Sequence, residues 1–96
     1  MKCYYVYILA SQKNGTLYIG FSGGLMRRVQ LHQSGEVPGF TQRYGVKRLV
    51  HVETFRDVYD AIAREKQLKK WKRQWKIQLI ERDNPQWRDL YPELIR

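Results

Sequence analysis

Tyr4-Tyr5-Val6-Tyr7-Ile8-Leu9, then Lys13-Asn14-Gly15, then Thr16-Leu17-Tyr18-Ile19-Gly20-Phe21 is the stretch that decides the fold. Both flanking runs are β-branched and aromatic, a composition that suits a pleated, half-buried strand. Asn-Gly between them is a strong hairpin signal, because both residues tolerate positive φ. The sequence therefore predicts a β-hairpin. A two-residue turn at Asn14-Gly15 sets Leu9 opposite Gly20. Tyr7 and Tyr18 then share one side of the hairpin but stand well apart along it, and a bulge or wider turn brings them closer. Gly20 has no side chain, which permits close approach by a ligand or by other protein atoms.

Working outward, Ser22-Gly23-Gly24 breaks the second strand. Leu25 to Gln33 reads as a helix with apolar Leu25, Met26 and Val29, and Ser34-Gly35 supplies a glycine stop. Glu36 to Tyr44 contains Pro38-Gly39 and is expected to be a loop, made aromatic and basic by Phe40, Arg43 and Tyr44. Arg48 to Phe55 is a third strand, with Leu49, His51 and Glu53 alternating against Val50 and Val52. Asp57 can cap a helix running through Ala61 and Leu68 to about Trp71. A further helical stretch, Trp75 to Arg82, follows with or without a break, and Asn84-Pro85 ends it. Trp87, Leu90 and Leu94 are expected to pin the tail. The order β-β-α-β-α-α predicts an α+β fold, a three-stranded antiparallel sheet flanked by helices, as one domain over residues 1–96. No repeat or low-complexity segment interrupts it.

Charge narrows the partners. Eighteen Lys/Arg against nine Asp/Glu leave a net charge of +9, which draws polyanions and points to nucleic acid ahead of a membrane surface. Seven of the bases (Arg64, Lys66, Lys69, Lys70, Lys72, Arg73, Lys76) fall in one short run whose single acid is Glu65. Trp71 and Trp75 interleave with them, as base-stacking side chains would, although spacing by four equally suits a helix core face, and core is the favoured role. Cys3 is the only cysteine, so no internal disulfide forms and a reducing compartment, the cytoplasm, is expected. Met1 to Ala10 resembles a signal peptide only superficially, since its tyrosines alternate like a strand. No stretch is long enough to span a bilayer.

Several side chains carry candidate chemistry. Arg28 and His32 are spaced i, i+4 and share a helix face beside Leu25 and Val29. A guanidinium is suited to phosphate by its permanent charge and planar fork. The plain alternative is a solvated arginine next to Arg27 and a satisfied structural histidine. Ala61, Glu65, Leu68, Lys72 and Trp75 fall on one side of a continuous helix, which sets the Glu65 carboxylate beside apolar residues. Its plain role is an i, i+4 pair with Lys69, worth roughly 0.3–0.5 kcal/mol. No His/Cys/Asp cluster suggests zinc, and no glycine-rich loop suggests a nucleotide cofactor.

Tyr5-Val6-Tyr7, ten residues, then Tyr18-Ile19-Gly20 resembles the paired motif of the GIY-YIG nuclease superfamily. Arg28, His32 and Glu65 follow in the order of that family's remaining signature positions. The resemblance covers nearly the whole chain and is greatest to the small, stand-alone bacterial (YhbQ-like) group. Two departures stand out: Tyr5 replaces the usual first glycine, and Trp75, Lys76 and Ile77 occupy the region where some members carry a further polar residue.

The resemblance implies metal-dependent hydrolysis of a nucleic-acid phosphodiester, DNA ahead of RNA, with a place in DNA repair among the roles it suggests. Val6, Ile19 and Gly20 would be structural parts of the motif. Tyr7 or Tyr18 would accept a proton from water, Arg28 would stabilise the pentacovalent phosphate, and His32 would orient a tyrosine or relay its proton. Glu65 would hold Mg²⁺ (or Mn²⁺), since one carboxylate suffices when waters and substrate supply the other oxygens. Arg27, Lys66, Lys69, Lys70, Lys72, Arg73 and Lys76 are the candidate nucleic-acid contacts. With no room for an added DNA-binding module, low sequence specificity or a protein partner that supplies it is expected, in a monomer or weak dimer. Two alternatives stand beside this: a catalytically weak or inactive nucleic-acid-binding domain, and a basic interaction module.

Overall fold

Three strands, β1 (Tyr4–Ala10), β2 (Leu17–Ser22) and β3 (Arg48–Phe55), form an antiparallel sheet in the order β2-β1-β3. The computed structural model describes residues 2–94. Helices α1 (Leu25–Gln33), α2 (Phe40–Tyr44), α3 (Val58–Lys70), α4 (Arg73–Asp83) and α5 (Tyr91–Leu94) complete it. Among the described residues, no helix is long and apolar enough to cross a membrane.

The central strand is buried on both faces, and the two-residue period of β1 divides the core between them. Val6, Ile8 and Ala10 join Ile19, Val50, Ala61, Leu68, Ile80 and Trp87 under α3 and α4. Tyr7 and Leu9 pack on the other face with Leu25, Val29, Val46 and Leu49. The second of these faces carries the tyrosines.

The hairpin differs from the expected two-residue turn. Ala10 pairs with Leu17 and Leu9 with Tyr18, so Ser11 to Thr16 form a six-residue connection and the register slides by two residues. Of Asn14 and Gly15 only Asn14 takes positive φ, at 60°, whereas a tight turn of that class needs both. The wider loop is closed by Ser11 N–H donating to Thr16 O at 3.0 Å and Thr16 N–H to Ser11 Oγ at 2.9 Å. The Arg73 guanidinium ties it to α4 by donating to the carbonyls of Asn14 (2.7 Å) and Gly15 (2.6 Å). A two-residue slide keeps every side chain on its face, but it sets Gly20 opposite Tyr7. A Cβ at Gly20 would stand 2.5 Å from Cζ and Oη of Tyr7. The missing side chain thus lets the Tyr7 ring cross β2 toward the free edge of the sheet.

In β3 the expected alternation is broken. A bulge opposite Ile8 and Leu9 puts Val50 on the α3 side with His51 and Glu53, while Leu49 and Val52 face the tyrosine side. The free edge of β3 is closed by the tail. Leu90 N–H donates to Leu49 O at 2.8 Å, and Asp89 Oδ1 accepts from Leu49 N–H at 3.2 Å. Trp87 therefore pins the α3 side, and Leu90 and Leu94 the tyrosine side.

Asp57 caps α3 by accepting from Tyr59 N–H at 2.7 Å. The helix ends at Lys70 because Trp71 and Lys72 are extended, with ψ near 149° and 148°. Lys72 and Trp75 therefore do not continue the face of Ala61, Glu65 and Leu68. Trp71 is half-buried against the core, but Trp75 is 49% exposed, so the core role expected for the pair does not hold for Trp75. The residues 36–44, expected as loop, include α2, flanked by Gly39 (φ 105°) and Gly45 (φ 62°) and anchored by buried Thr41.

The rotation of α3 is set by an ion cluster. Glu53 accepts from Arg64 Nε at 2.8 Å and Nη2 at 3.1 Å, and it lies 2.8 Å from His51 Nε2. Burial pushes the Glu53 carboxyl up, but hydrogen bonds from His51 and Arg64 outweigh it and hold the group at about 2, against an ordinary 4.5. Because the folded value is depressed, this stabilisation is present above pH 4.5 and is lost as pH falls toward 2.

Two stability measurements follow. Glu53→Gln is expected to cost about 1–3 kcal/mol at neutral pH and to flatten the decline of stability with acid; chemical denaturation between pH 7 and pH 2 reads both, and parallel curves for the two proteins would contradict the cluster's role. Gly20→Ala is expected to cost about 1–3 kcal/mol through overpacking against Tyr7. The cost should shrink in a Tyr7→Ala background, where the struck ring is gone, and an equal cost in both would count against the contact.

Candidate active site

Tyr7 is 1% exposed, and its ring lies among groups from three elements. Its centroid is 6.4 Å from that of Tyr18 on β2 and 6.2 Å from His32 on α1, and the Tyr18 and His32 rings are 5.3 Å apart. Arg28 and His32 project from α1 onto this face because Leu25 and Val29 anchor the same side of the helix in the core. Burial raises the Tyr7 pKa to about 12, against the hydrogen bond and charge of the Arg28 guanidinium, which pull it down. Tyr18 and, more weakly, Glu65 add to the rise. The Arg28 pKa is raised in turn by its hydrogen bond to Tyr7.

His32 is 2% exposed and bridges the site to α2. Its Nδ1 is 3.0 Å from Thr41 Oγ1, and its Nε2 is 3.4 Å from the Tyr7 phenol oxygen. Burial, followed by the charge of Arg28, lowers the His32 pKa, so the ring is neutral at pH 7. Arg28 can only donate to the phenol oxygen, which leaves the phenol's own hydrogen free to reach His32. In the tautomer protonated on Nδ1, the ring donates to Thr41 and offers Nε2 to the phenol as acceptor.

Glu65 enters from the other side of the sheet. It shares the inward side of α3 with Ala61 and Leu68, both fully buried, and α3 lies across β1 and β2. Its side chain is mostly buried, with Lys69 Nζ 3.6 Å away. Its charge acts on the Tyr7 phenol, which has crossed β2 over Gly20. The phenols, the imidazole and the guanidinium gather on one face at β2, and the carboxylate on α3 is near enough for its charge to act on the Tyr7 phenol. The donor set suits a hard ion: one carboxylate, with coordination otherwise left to water and substrate oxygens, fits Mg²⁺. Among the described residues, no group of three His, Cys, Asp or Glu side chains forms a metal cage, so a closed zinc site does not fit.

The basic residues separate into distinct places. Lys69 and Lys76 line a groove with Tyr18 and Phe40. Lys66, Lys70 and Arg27 are exposed, Arg27 beside Met26 and Tyr5. Lys72 lies 5.8 Å over the Trp75 ring, and Arg73 is held by the hairpin loop. Arg73 is thus engaged by the loop, while Lys72 stays exposed beside Trp75. Lys76, between Trp75 and Ile77, reaches the groove beside Tyr18. Two contributors carry little sequence signal: Thr41 is one polar residue in an aromatic stretch, and Phe40 belongs to a basic, aromatic segment.

Known proteins resemble this chain in sequence and in fold. A family model described as the GIY-YIG catalytic domain matches residues 3–78. A UPF0213 protein of Clostridium perfringens is 38% identical over 76 residues, covering 79% of this chain and 81% of the relative. One from Syntrophus aciditrophicus is 37% identical over 83 residues, covering 85% and 93%. The solution NMR structure of a UPF0213 protein from Bacillus halodurans is similar with a TM-score of 0.54 at 33% identity, over 85% of this chain and 86% of that one. With the paired tyrosine motif on adjacent strands and Arg28, His32 and Glu65 gathered around it, this chain belongs to the GIY-YIG family, alongside the small UPF0213 proteins.

Proposed function

We propose that this protein is a Mg²⁺-dependent endonuclease that hydrolyses nucleic-acid phosphodiesters, DNA ahead of RNA, with low intrinsic sequence specificity. The observation that carries this reading is the gathering of Tyr7, Tyr18, Arg28 and His32 on one face at β2, with the Glu65 charge near enough to act on Tyr7. Arg28 stabilises the negative charge that builds on the phosphate as water adds, from a position fixed on α1 beside Tyr7. Tyr7 accepts a proton from the attacking water while its own proton passes to His32 Nε2. A phenol with a pKa of about 12 would otherwise stay protonated at neutral pH, so the neutral imidazole beside it is what makes the transfer workable. Thr41 can accept from Nδ1–H in the His32 tautomer that receives the proton. Tyr18 walls the phosphate from the other side. Mg²⁺, held by Glu65, would supply positive charge to the leaving oxygen. Lys69 and Lys76 extend the positive surface along the adjoining strand.

Nicking of supercoiled plasmid tests this. Cleavage is expected with Mg²⁺ or Mn²⁺ and not with EDTA, and Glu65→Gln and Arg28→Ala are each expected to lower the rate by about 100-fold or more while binding persists. Unchanged cleavage in Glu65→Gln would refute the metal's assignment. Because His32 must be neutral to receive the proton, the rate is expected to fall on acidification below its ordinary pKa of 6.5, with the midpoint displaced to lower pH. A rate that does not fall at any acidic pH at which the protein stays folded would contradict the relay.

A second reading, a binding domain that does not cleave, draws on the same raised Tyr7 pKa. It would show as salt-sensitive binding without nicking under any metal.

A further inference from the structure

We infer that Phe40 and Tyr44 form a stacking platform for an unpaired nucleobase beside the scissile phosphate, which makes single-stranded or locally unpaired nucleic acid the favoured substrate. This rests on the nuclease reading and extends it to substrate class. Phe40 and Tyr44 are 47% and 49% exposed, a large apolar area to leave in water on a five-residue helix. They are neither scattered nor buried against the core. Their rings lie 4.8 Å apart, and Phe40 stacks on Tyr18 at 6.3 Å with planes 30° apart, so a row of three aromatics runs from the phosphate-binding tyrosine outward to solvent.

The row is held in place. Thr41, between the two aromatics, is buried on His32 Nδ1, and its carbonyl accepts from Val46 N–H at 2.9 Å. Gln42 donates to Gly35 O at 2.9 Å. The Thr41–His32 contact therefore ties the platform to the site. Cations flank it on both sides: Arg43 lies 5.5 Å over the Tyr44 ring, and Lys69 and Lys76 line the groove of about 210 Å³ that Phe40 shares with Tyr18. Aromatic faces among cations at a backbone-tracking groove are the chemistry that captures unpaired bases with little sequence preference. A base inside a duplex is stacked on both faces and cannot offer one to Phe40.

The test uses single-stranded DNA and RNA dodecamers carrying one 2-aminopurine, a fully paired duplex, and the same duplex with one unpaired base, all in EDTA. Fluorescence quenching reports stacking and anisotropy reports affinity. Strong quenching is expected with both single strands and with the unpaired-base duplex, and little with the paired duplex. Phe40→Ala and Tyr44→Ala, checked for folding by circular dichroism, are expected to weaken single-strand binding by about 5- to 100-fold and to leave paired-duplex binding within about twofold. Phe40→Trp should restore quenching. Unquenched binding, or equal losses for paired and unpaired probes, would overturn the platform. If the protein nicks plasmid with Mg²⁺ yet shows those results, the platform alone falls; if it binds no probe and does not nick plasmid with Mg²⁺, the nuclease reading falls with it.

Discussion

The approach of the Tyr7 ring over Gly20 governs the arrangement of everything around it. A tyrosine on the buried central strand would ordinarily end inside the core, far from solvent and substrate. With no side chain opposite it on β2, the ring lies across the neighbouring strand, and its phenol oxygen arrives near the sheet's free edge. There it is within reach of α1 from one face and of α3 from the other. The rest of the site is a set of answers to that buried phenol. Arg28 supplies charge, His32 sets a ring nitrogen beside the phenol, and Thr41 holds the imidazole in place.

Helix α3 has to be held as firmly as the phenol, because Glu65 acts from the far side of the sheet. Glu65 has apolar neighbours inward and Lys69 outward, and buried Ala61 and Leu68 set which side of the helix faces the sheet. Its neighbour Arg64 adds a polar anchor by a two-point contact to Glu53 on β3, and the Trp71 ring lies 5.0 Å from the same guanidinium. Adjacent residues on one helix thus divide the work. One is buried in a salt link that orients the helix, and the next is left able to take a ligand.

Much of this was legible in the chain, and what was not has local causes. The strands, α1 and the cap at Asp57 follow from periodicity and turn chemistry, and the spaced tyrosines with Arg28, His32 and Glu65 marked the site. The hairpin register did not follow from Asn14-Gly15, because the loop is settled by Ser11 and by Arg73, which lies far away in sequence. The bulge in β3 left no pattern that alternation can distinguish from a regular strand. Trp71 and Trp75 read as one helix face only if α3 and α4 are continuous, and two extended residues separate them. The partner of His32 was invisible for the simplest reason: Thr41 reaches it through a turn of helix between two glycines, within a segment whose composition says loop.

Convergence on a single phosphate can be observed directly by titrating isotopically labelled protein with a phosphorothioate dinucleotide and Mg²⁺ while recording side-chain and backbone NMR shifts. The largest changes should fall on Arg28, Tyr18, His32 and Glu65 together, from both faces of the sheet and with one dissociation constant. Changes centred instead on the Trp71–Trp75 surface, with those four unmoved, would show that the tyrosine edge is not where phosphate binds.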